Sequence, residues 1–369
     1  CRRGLTMVNP RPFLISCTHQ TGVFGDGKAM AARRDPWLDN SKMALVALVA
    51  VGHSWTLLPK TIEISWAYDW LYAWHIPAFV AITGYLSRSF TWAPSRLRQL
   101  AQTIVVPYVI FELAYAWMRA TFGGVTFEKL LLNPHWPMWY LAAFVIWRLL
   151  TPIFMRPPAP VAIGASIVIS LSGGFWAGET FDLARVVGLL PFFVIGLRIS
   201  PSALDWLKSA SLRWLGLLGF LVILMVTRFT DEWTVTEAFY YRSSYADLGE
   251  EGLASIGVRA ATLALGLLGT ASFFKLVPSV GGWFARLGQA TLEVYLFHGF
   301  FILTAEYAGF PEWAMGHPGL AWGIATVGAV VLALTLAQPP VARVLNVAVD
   351  PIGNVSKWLQ PKRQGAKGS

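Results

Sequence analysis

Three of the six histidines in the chain fall inside apolar stretches: His53, His75 and His298. Glu112, Arg185 and Glu293 lie in similar surroundings. An ionisable side chain at membrane depth costs at least a few kcal/mol, which makes each of these residues a candidate for a functional site. Imidazole is the side chain best suited to take a proton from a hydroxyl near neutral pH. The pattern therefore predicts proton-transfer chemistry in an apolar environment.

The spacing of Lys42 and His53 suits an anionic cofactor. Eleven residues are close to three helical turns, so both side chains share one helix face, about 16 Å apart along the axis. This spacing places His53 near the middle of a bilayer, with Lys42 at its inner mouth and Asp39 just below. The phosphates of a cofactor would stay near the mouth while its reactive end reached the imidazole. The alternative is a histidine that only packs between helices.

Each of the other polar candidates has two interpretations. His75, at the outer end of the second apolar stretch, is either a site residue or an interfacial histidine beside an aromatic belt. Arg88, Arg96 and Arg98 either bind phosphate oxygens through their guanidinium groups or anchor the chain at the inner surface. Glu293 and His298, on neighbouring turns, form either a structural hydrogen bond or an orienting pair.

The composition places these residues in a membrane. Of the 369 residues, 55% are hydrophobic and 13% are charged, whereas a soluble domain has about 25% charged residues. The mean hydropathy is +0.53. These values exclude an ordinary soluble enzyme, a disordered protein and a nucleic-acid-binding module. Ten stretches qualify as spanning helices: Lys42–Leu58, Leu71–Ser87, Leu100–Met118, Pro137–Phe154, Ala159–Phe175, Phe181–Leu197, Leu212–Thr227, Ile256–Val277, Gln289–Tyr307 and Leu320–Leu345.

The distribution of Lys and Arg predicts the topology. Basic residues concentrate in alternate connections, which indicates an even number of spans with both termini in the cytoplasm. The predicted class is thus an all-α polytopic membrane protein with about ten transmembrane helices. Residues 1–38 form a disordered cytoplasmic arm, residues 39–348 the membrane domain and residues 349–369 a basic cytoplasmic tail. The net charge of +9 follows from this topology and does not indicate a nucleic-acid partner.

Two further features concern the termini and the longest outer connection. The chain begins with Cys1, which indicates an incomplete or mis-set start, and Cys1 and Cys17 have no metal-ligand spacing. The acidic and aromatic connection 228–257 is either a lid or acceptor surface on the outer face, or a solvated connector.

Several short segments, taken in order, resemble one known family. The chain is similar to the acyltransferase-3 family of integral membrane acyltransferases, and in particular to its fucose 4-O-acetylase-like branch. The matching segments are Asp39-Asn40-Ser41-Lys42 through Gly52-His53, His75-Ile76-Pro77 through Phe79, Gly84-Tyr85, Arg96-Leu97-Arg98, Pro107-Tyr108, Met138-Trp139-Tyr140-Leu141, Pro191-Phe192-Phe193 with Gly196, and Leu287-Gly288-Gln289 through Tyr295-Leu296-Phe297-His298.

The resemblance implies transfer of an acyl group, usually acetyl, from cytoplasmic acyl-CoA to a hydroxyl of a sugar or glycosylated acceptor in the plasma membrane. No metal is implied. The family motif, a basic residue followed after ten positions by an essential histidine, maps onto Lys42 and His53. Many members have Arg at position 42, and Lys cannot bind a phosphate in bidentate fashion. Position 42 therefore either binds CoA phosphates or orients the site through Asp39.

The residues then take the following predicted roles. His53 is the general base or a transient acyl carrier. His75 or Tyr140 positions the acceptor, and Lys42, Arg96 and Arg98 hold the anionic part of acyl-CoA. Asp39, Glu293 and His298 support the site. An exporter of a polar or acidic solute would also fit ten spans with buried histidines, and a structural scaffold would explain few of the buried ionisable groups.

Overall fold

The computed structural model describes residues 34–125, 130–178, 180–249 and 252–354. Within these ranges every regular element is helical, which confirms the predicted all-α class. The predicted N-terminal arm up to residue 33 and the tail from residue 355 lie outside the described residues. The described helices belong to one compact unit that begins at Pro36.

Eighteen α-helices make up the described part of the chain. They are α1 (Pro36–Trp55), α2 (Ile62–Tyr72), α3 (His75–Ser87), α4 (Pro94–Leu100), α5 (Val106–Gly123), α6 (Trp139–Met155), α7 (Ala159–Trp176), α8 (Leu183–Gly188), α9 (Leu190–Arg198), α10 (Pro201–Lys208), α11 (Trp214–Thr227), α12 (Thr230–Trp233), α13 (Leu253–Leu276), α14 (Trp283–Leu287), α15 (Thr291–Tyr307), α16 (Phe310–Gly316), α17 (Pro318–Leu336) and α18 (Pro339–Val349).

Each of the ten predicted stretches overlaps a helix or a pair of helices, but few of these helices are both long and apolar. Among the described residues, four qualify as candidate membrane spans: α7, α13, α17 and the continuous helix Pro94–Gly123, in which a π-helical turn joins α4 to α5. A fifth qualifies if α9 and α10, which are bent by 98°, form one broken span. The count of ten spans and the cytoplasmic termini remain predictions.

Prolines and local breaks account for part of this difference. The stretch predicted over Leu320–Leu345 is interrupted at Gln338, and a new helix begins at Pro339. Proline lacks the N–H that a continuing helix needs, although its fixed φ suits a first helical turn. Similarly, Leu189 separates α8 from α9 inside the stretch predicted over Phe181–Leu197. Broken helices of this kind occur in membranes where neighbouring protein satisfies the freed backbone groups.

Helix α1 lies within the bundle, where it packs against α3, α14, α15 and α17. In turn α3 crosses α9 with the two backbones in direct contact. A Cβ added to Gly84 would lie 2.0 Å from the carbonyl oxygen of Phe193, and one added to Gly196 would lie 1.9 Å from that of Ala81. Small residues allow membrane helices to approach this closely. This crossing fixes the position of α3 beside α1.

One end of the bundle carries several cations, and we call it the basic end. It is the end where α1 begins and where α3, α9 and α13 finish, and it is defined by Lys42, Arg88, Arg198, Lys208 and Lys275. The start of α1 is held there because Nδ2 of Asn40 donates to the carbonyl oxygens of Pro278, at 2.8 Å, and Val280, at 3.0 Å. His53 lies in the last turn of α1, away from the basic end.

Candidate active site

Two of the predicted histidines form a buried pair. Nδ1 of His53, on α1, lies 2.8 Å from Nε2 of His298, on α15. The ring centroids are 5.1 Å apart and the planes are inclined by 19°. His53 is 5% exposed and His298 is fully buried. The packing of α1 against α15 therefore brings together two residues that are 245 positions apart in sequence.

The backbone of α15 determines which nitrogen of each ring carries a proton. Nδ1 of His298 lies 2.7 Å from the carbonyl oxygen of Tyr295, and because a carbonyl only accepts, this nitrogen donates. In the neutral ring Nε2 of His298 is then an acceptor. It faces Nδ1 of His53, which must donate. The lone pair of a neutral His53 is consequently on Nε2, which has no hydrogen-bond partner among the described residues.

The ring of His53 also lines a small pocket. The other lining residues, from α1, α3, α6 and α15, are Val49, Ile76, Phe79, Trp139, Tyr140 and Tyr295. Its free space of about 10 Å³ is roughly that needed by one water molecule. The pocket is thus an apolar enclosure around one imidazole and two tyrosines, and a larger substrate requires its walls to separate.

Tyr140 presents hydrogen-bond acceptor capacity in this pocket. The hydroxyl of Thr83 donates to the carbonyl oxygen of Phe79 at 2.9 Å, and it is also in contact with the hydroxyl of Tyr140. Since the single proton of Thr83 is already engaged, Tyr140 is the donor in their hydrogen bond. The lone pairs of Tyr140 can then accept a hydrogen bond from a substrate hydroxyl.

The segment before α6 covers the His53 ring. Trp136 contacts that ring, with centroids 4.4 Å apart, and the hydroxyl of Tyr295 donates to the carbonyl oxygen of Pro137. The fully buried carboxylate of Glu112 holds the same segment, because its Oε1 lies 2.9 Å from the backbone N and 2.6 Å from Nδ1 of His135. Glu112 was recognised from sequence as a buried ionisable group, but His135 and Trp136 were not. The available signal was a His-Trp pair between two prolines just before an apolar helix.

A buried cation contacts one of the residues that line the pocket. The guanidinium of Arg185 is 4.7 Å from the centre of the Trp139 ring, a favourable cation–π arrangement. Its Nη1 lies 3.2 Å from both carboxylate oxygens of Asp182. Arg185 is therefore paired with Asp182 and held against the ring of Trp139, which lines the pocket.

The predicted cofactor residues lie apart from this pocket. Nζ of Lys42 forms an ion pair with Oδ1 of Asp39 at 2.7 Å, about three turns of α1 from His53. Arg98 is exposed and Arg96 is half-exposed at the start of α4, where Nη1 of Arg96 lies 3.3 Å from Oε1 of Gln99. None of the three lines the His53 pocket.

His75 and Glu293 have other partners. His75 is fully buried, and its Nδ1 donates to the carbonyl oxygen of Leu71 at 2.8 Å. Its Nε2 is buried and has no partner among the described residues. Glu293 accepts a hydrogen bond from Nδ2 of Asn346 at 3.0 Å, so the expected pair with His298 does not form. Five residues correspond to about 140° around a helix, which places the two side chains on different faces.

The described ranges contain no cluster of three or more His, Cys, Asp or Glu side chains that could hold a metal ion. The pocket offers an imidazole and tyrosine hydroxyls, a donor set suited to proton transfer. Of the cations predicted to hold a phosphate group, Lys42 lies at the basic end.

A family model described as an acyltransferase domain matches residues 35–338, the part of the chain that runs from α1 to α17 and includes every pocket residue. Together with the apolar helices, this match indicates a membrane acyltransferase. The chain belongs to the acyltransferase-3 family. Neither a curated protein nor a solved structure matches it. The more specific fucose 4-O-acetylase-like branch remains a prediction.

Proposed function

We propose that this protein is a multi-pass plasma-membrane O-acyltransferase. It moves an acetyl group from cytoplasmic acetyl-CoA to a hydroxyl of a sugar or glycosylated acceptor. The observation that carries the proposal is the orientation of His53, whose Nδ1 donates to His298 while Nε2 keeps its lone pair on a ring that lines an apolar pocket.

In the proposed reaction His53 acts as general base. The acceptor hydroxyl gives its proton to Nε2 as its oxygen attacks the thioester carbonyl, and the C–S bond then breaks. The imidazolium returns that proton to the departing thiolate, so the products are an O-acetyl ester and CoA. The apolar walls exclude bulk water, which protects the thioester from hydrolysis.

The partners of His53 support this role without changing charge themselves. His298 keeps its acceptor nitrogen on Nδ1 of His53 throughout, and so stabilises the imidazolium that forms. Tyr140 accepts a hydrogen bond from a hydroxyl of the acceptor. His75, next to Ile76 in the pocket wall, supports the acceptor side of the site.

The same lone pair also permits covalent catalysis, in which Nε2 attacks the thioester and an acyl-imidazole then transfers its acyl group to the acceptor. Rapid quenching after mixing with radiolabelled acetyl-CoA separates the two routes, since only the carrier route leaves label on the protein. In both routes Lys42, Arg96 and Arg98 bind the anionic part of CoA, and Asp39 holds Lys42 in position.

The test compares purified wild type with His53→Ala, using free thiol released from acetyl-CoA in the presence of a glycan extract. General-base catalysis contributes about 10²–10⁴-fold, so thiol release should fall by at least that factor. The control is His317→Ala, at an exposed histidine outside the pocket, and it should keep full activity. Wild-type activity in His53→Ala overturns the proposal, and transport of a labelled solute without thiol release favours an exporter.

A further inference from the structure

A second, larger cavity lies at the basic end of the bundle. Its volume is about 190 Å³, more than the roughly 150 Å³ of an apolar cavity that admits benzene. Residues of five helices line it, namely α1, α3, α9, α10 and α13, and nearly all of the lining is apolar. The cavity is therefore large enough for a segment of an alkyl chain.

This cavity is separate from the His53 pocket, since no residue lines both. Along α1 the cavity is lined by Trp37 and Leu38 and the pocket by Val49 and His53. At least eleven residues, or about 16 Å of helix, separate these two sets. The cavity is thus a separate space from the pocket that encloses the proposed general base.

The amphipathic helix α10 closes the cavity at the basic end. It follows α9 at an angle of 98°, and Leu204 and Leu207 line the cavity while Asp205 is exposed. Nζ of Lys275 anchors α10 to α13, because it lies 2.9 Å from Oγ of Ser209 and also donates to the carbonyl oxygen of Trp206. A short amphipathic helix of this kind is typical of the headgroup region of a membrane.

Two cations border the cavity. Nζ of Lys208 lies 5.3 Å from the centre of the Trp37 ring, and the guanidinium of Arg88 lies 4.9 Å from the centre of the Tyr85 ring. Both aromatic rings line the cavity. Basic groups beside an apolar cavity at the headgroup level favour a negatively charged lipid headgroup.

A buried hydroxyl inside the cavity also indicates a ligand. Thr270 lines the cavity and is 8% exposed, and its Oγ1 has no hydrogen-bond partner among the described residues. A buried donor without an acceptor is costly, and an ester carbonyl would satisfy it. The neighbouring lining residue Ala271 is exposed, so the cavity is accessible from the side of the helix bundle.

We infer that this cavity is a binding site for one anionic phospholipid. An acyl chain fills the apolar space, an ester carbonyl accepts from Thr270, and the phosphate lies between Lys208 and Arg88. The two cations favour an anionic phospholipid over a neutral lipid, and the unsatisfied hydroxyl favours a lipid with an ester carbonyl.

Native mass spectrometry of the full chain tests this inference. The protein is released from micelles that contain equal amounts of phosphatidylglycerol and phosphatidylcholine with identical chains. Wild type should retain one phosphatidylglycerol in preference to phosphatidylcholine. Lys208→Gln and Arg88→Gln should each lower that preference about fivefold, whereas Lys60→Gln, at an exposed lysine outside the cavity lining, should not.

Ala271→Phe tests the cavity itself, because the new ring enters the cavity from an exposed position and should abolish retention. Its control is Ala264→Phe, two turns earlier on the same helix face and also exposed, which should retain lipid as wild type does. Equal retention of the two lipids by wild type, or unchanged retention in Ala271→Phe, overturns the inference. Displacement of the phospholipid by palmitoyl-CoA would assign the cavity to the acyl donor and would also overturn it.

Discussion

His298 holds His53 in one hydrogen-bonding state. Its Nε2 lies 2.8 Å from Nδ1 of His53, and its own Nδ1 donates to the backbone of α15. In a Ser-His-Asp triad a carboxylate orients the histidine and stabilises the imidazolium. Here the neutral imidazole of His298 orients His53, so it fixes the tautomer of His53 without supplying a negative charge.

The first prediction concerns variants in which His298 no longer orients His53. In His298→Ala, Nδ1 of His53 has no acceptor and either tautomer can form, so kcat for acetyl transfer should fall about 10²–10⁴-fold. In His298→Gln the amide oxygen can accept the same hydrogen bond, and part of the activity should return. Steady-state thiol release gives kcat and KM, and KM for acetyl-CoA should change little in either variant.

The control for this prediction is again His317→Ala, which removes an exposed histidine from outside the pocket. If His298→Ala were as active as wild type while His53→Ala was inactive, the histidine pair would be a packing feature. Equal losses in the Ala and Gln variants would contradict the acceptor role specifically.

The second prediction concerns the carboxylate of Glu112, which holds the segment that carries Trp136. Glu112→Ala leaves the backbone N–H and Nδ1 of His135 without this acceptor, and should lower stability by about 1–3 kcal/mol. Glu112→Gln keeps one acceptor oxygen and should lose less. Hydrogen exchange should show increased exchange over residues 130–138 in the Ala variant, together with reduced kcat because Trp136 no longer covers His53. Unchanged exchange in this segment would refute the assignment.

Much of the candidate site is visible in the sequence, because an ionisable residue in an apolar run is conspicuous. His53 and His298 were both identified in this way. Their contact was not predicted, since it depends on how α1 packs against α15, and a single sequence does not determine the packing between distant helices. The expected Glu293–His298 pair does not form for a different reason, since five residues place the two side chains about 140° apart around α15, which the spacing in the sequence already indicates.

The fold was also predicted only in part from the sequence. Hydropathy predicts apolar helical stretches, because the bilayer accepts only backbone that is internally hydrogen-bonded, and each predicted stretch overlaps a helix. The breaks were harder to predict. The stretch predicted over Phe181–Leu197 ends within one residue of the end of α9. The short helix α10 that follows was not predicted, although Ser200 caps it and it begins at Pro201. Its contact with Lys275 of α13 has no local signal in the sequence.

The third prediction tests the contact of α3 with α9. An alanine at Gly84 or Gly196 would place its Cβ about 2 Å from a backbone oxygen of the other helix, so the helices must separate. Overpacking of this kind costs about 1–3 kcal/mol, and the residual activity after heating should fall accordingly. Gly164→Ala is the matched control, because nothing lies within 4 Å of a Cβ there, and it should be neutral or slightly stabilising. Equal thermal stability of all three variants would contradict this account of the crossing.

The fourth prediction is a pH dependence caused by Asp69 on α2, outside the candidate spanning helices. Burial raises the pKa of Asp69 from 3.8 to about 6, even though its Oδ1 accepts a hydrogen bond from Thr236 at 2.7 Å. The folded state then binds more protons than the unfolded state between about pH 4 and 6. The resulting stabilisation is complete below pH 4 and is lost as the pH rises through 6.

The variant Asp69→Asn keeps an acceptor for Thr236 but removes the titration. We expect the melting temperature of wild type to decrease relative to that of the Asn variant between pH 4 and 7, and the difference to become constant above pH 7. If the melting temperatures of wild type and Asp69→Asn differed by the same amount at every pH, the pKa of Asp69 would not be raised in the folded state.

The fifth prediction separates the two roles considered for Lys42. If its ammonium binds CoA phosphates, Lys42→Ala should raise KM for acetyl-CoA about tenfold with kcat nearly unchanged, because such binding is equal in the ground and transition states. Lys42→Arg should then restore or lower KM, since a guanidinium binds phosphate in bidentate fashion. If Lys42 instead orients α1 through its ion pair with Asp39, Asp39→Asn should reproduce the Lys42→Ala defect, and the loss should appear in kcat. We expect the first pattern, with Lys60→Ala as the control for removal of a cation elsewhere. A fall in kcat at constant KM would reassign Lys42 to the support of α1.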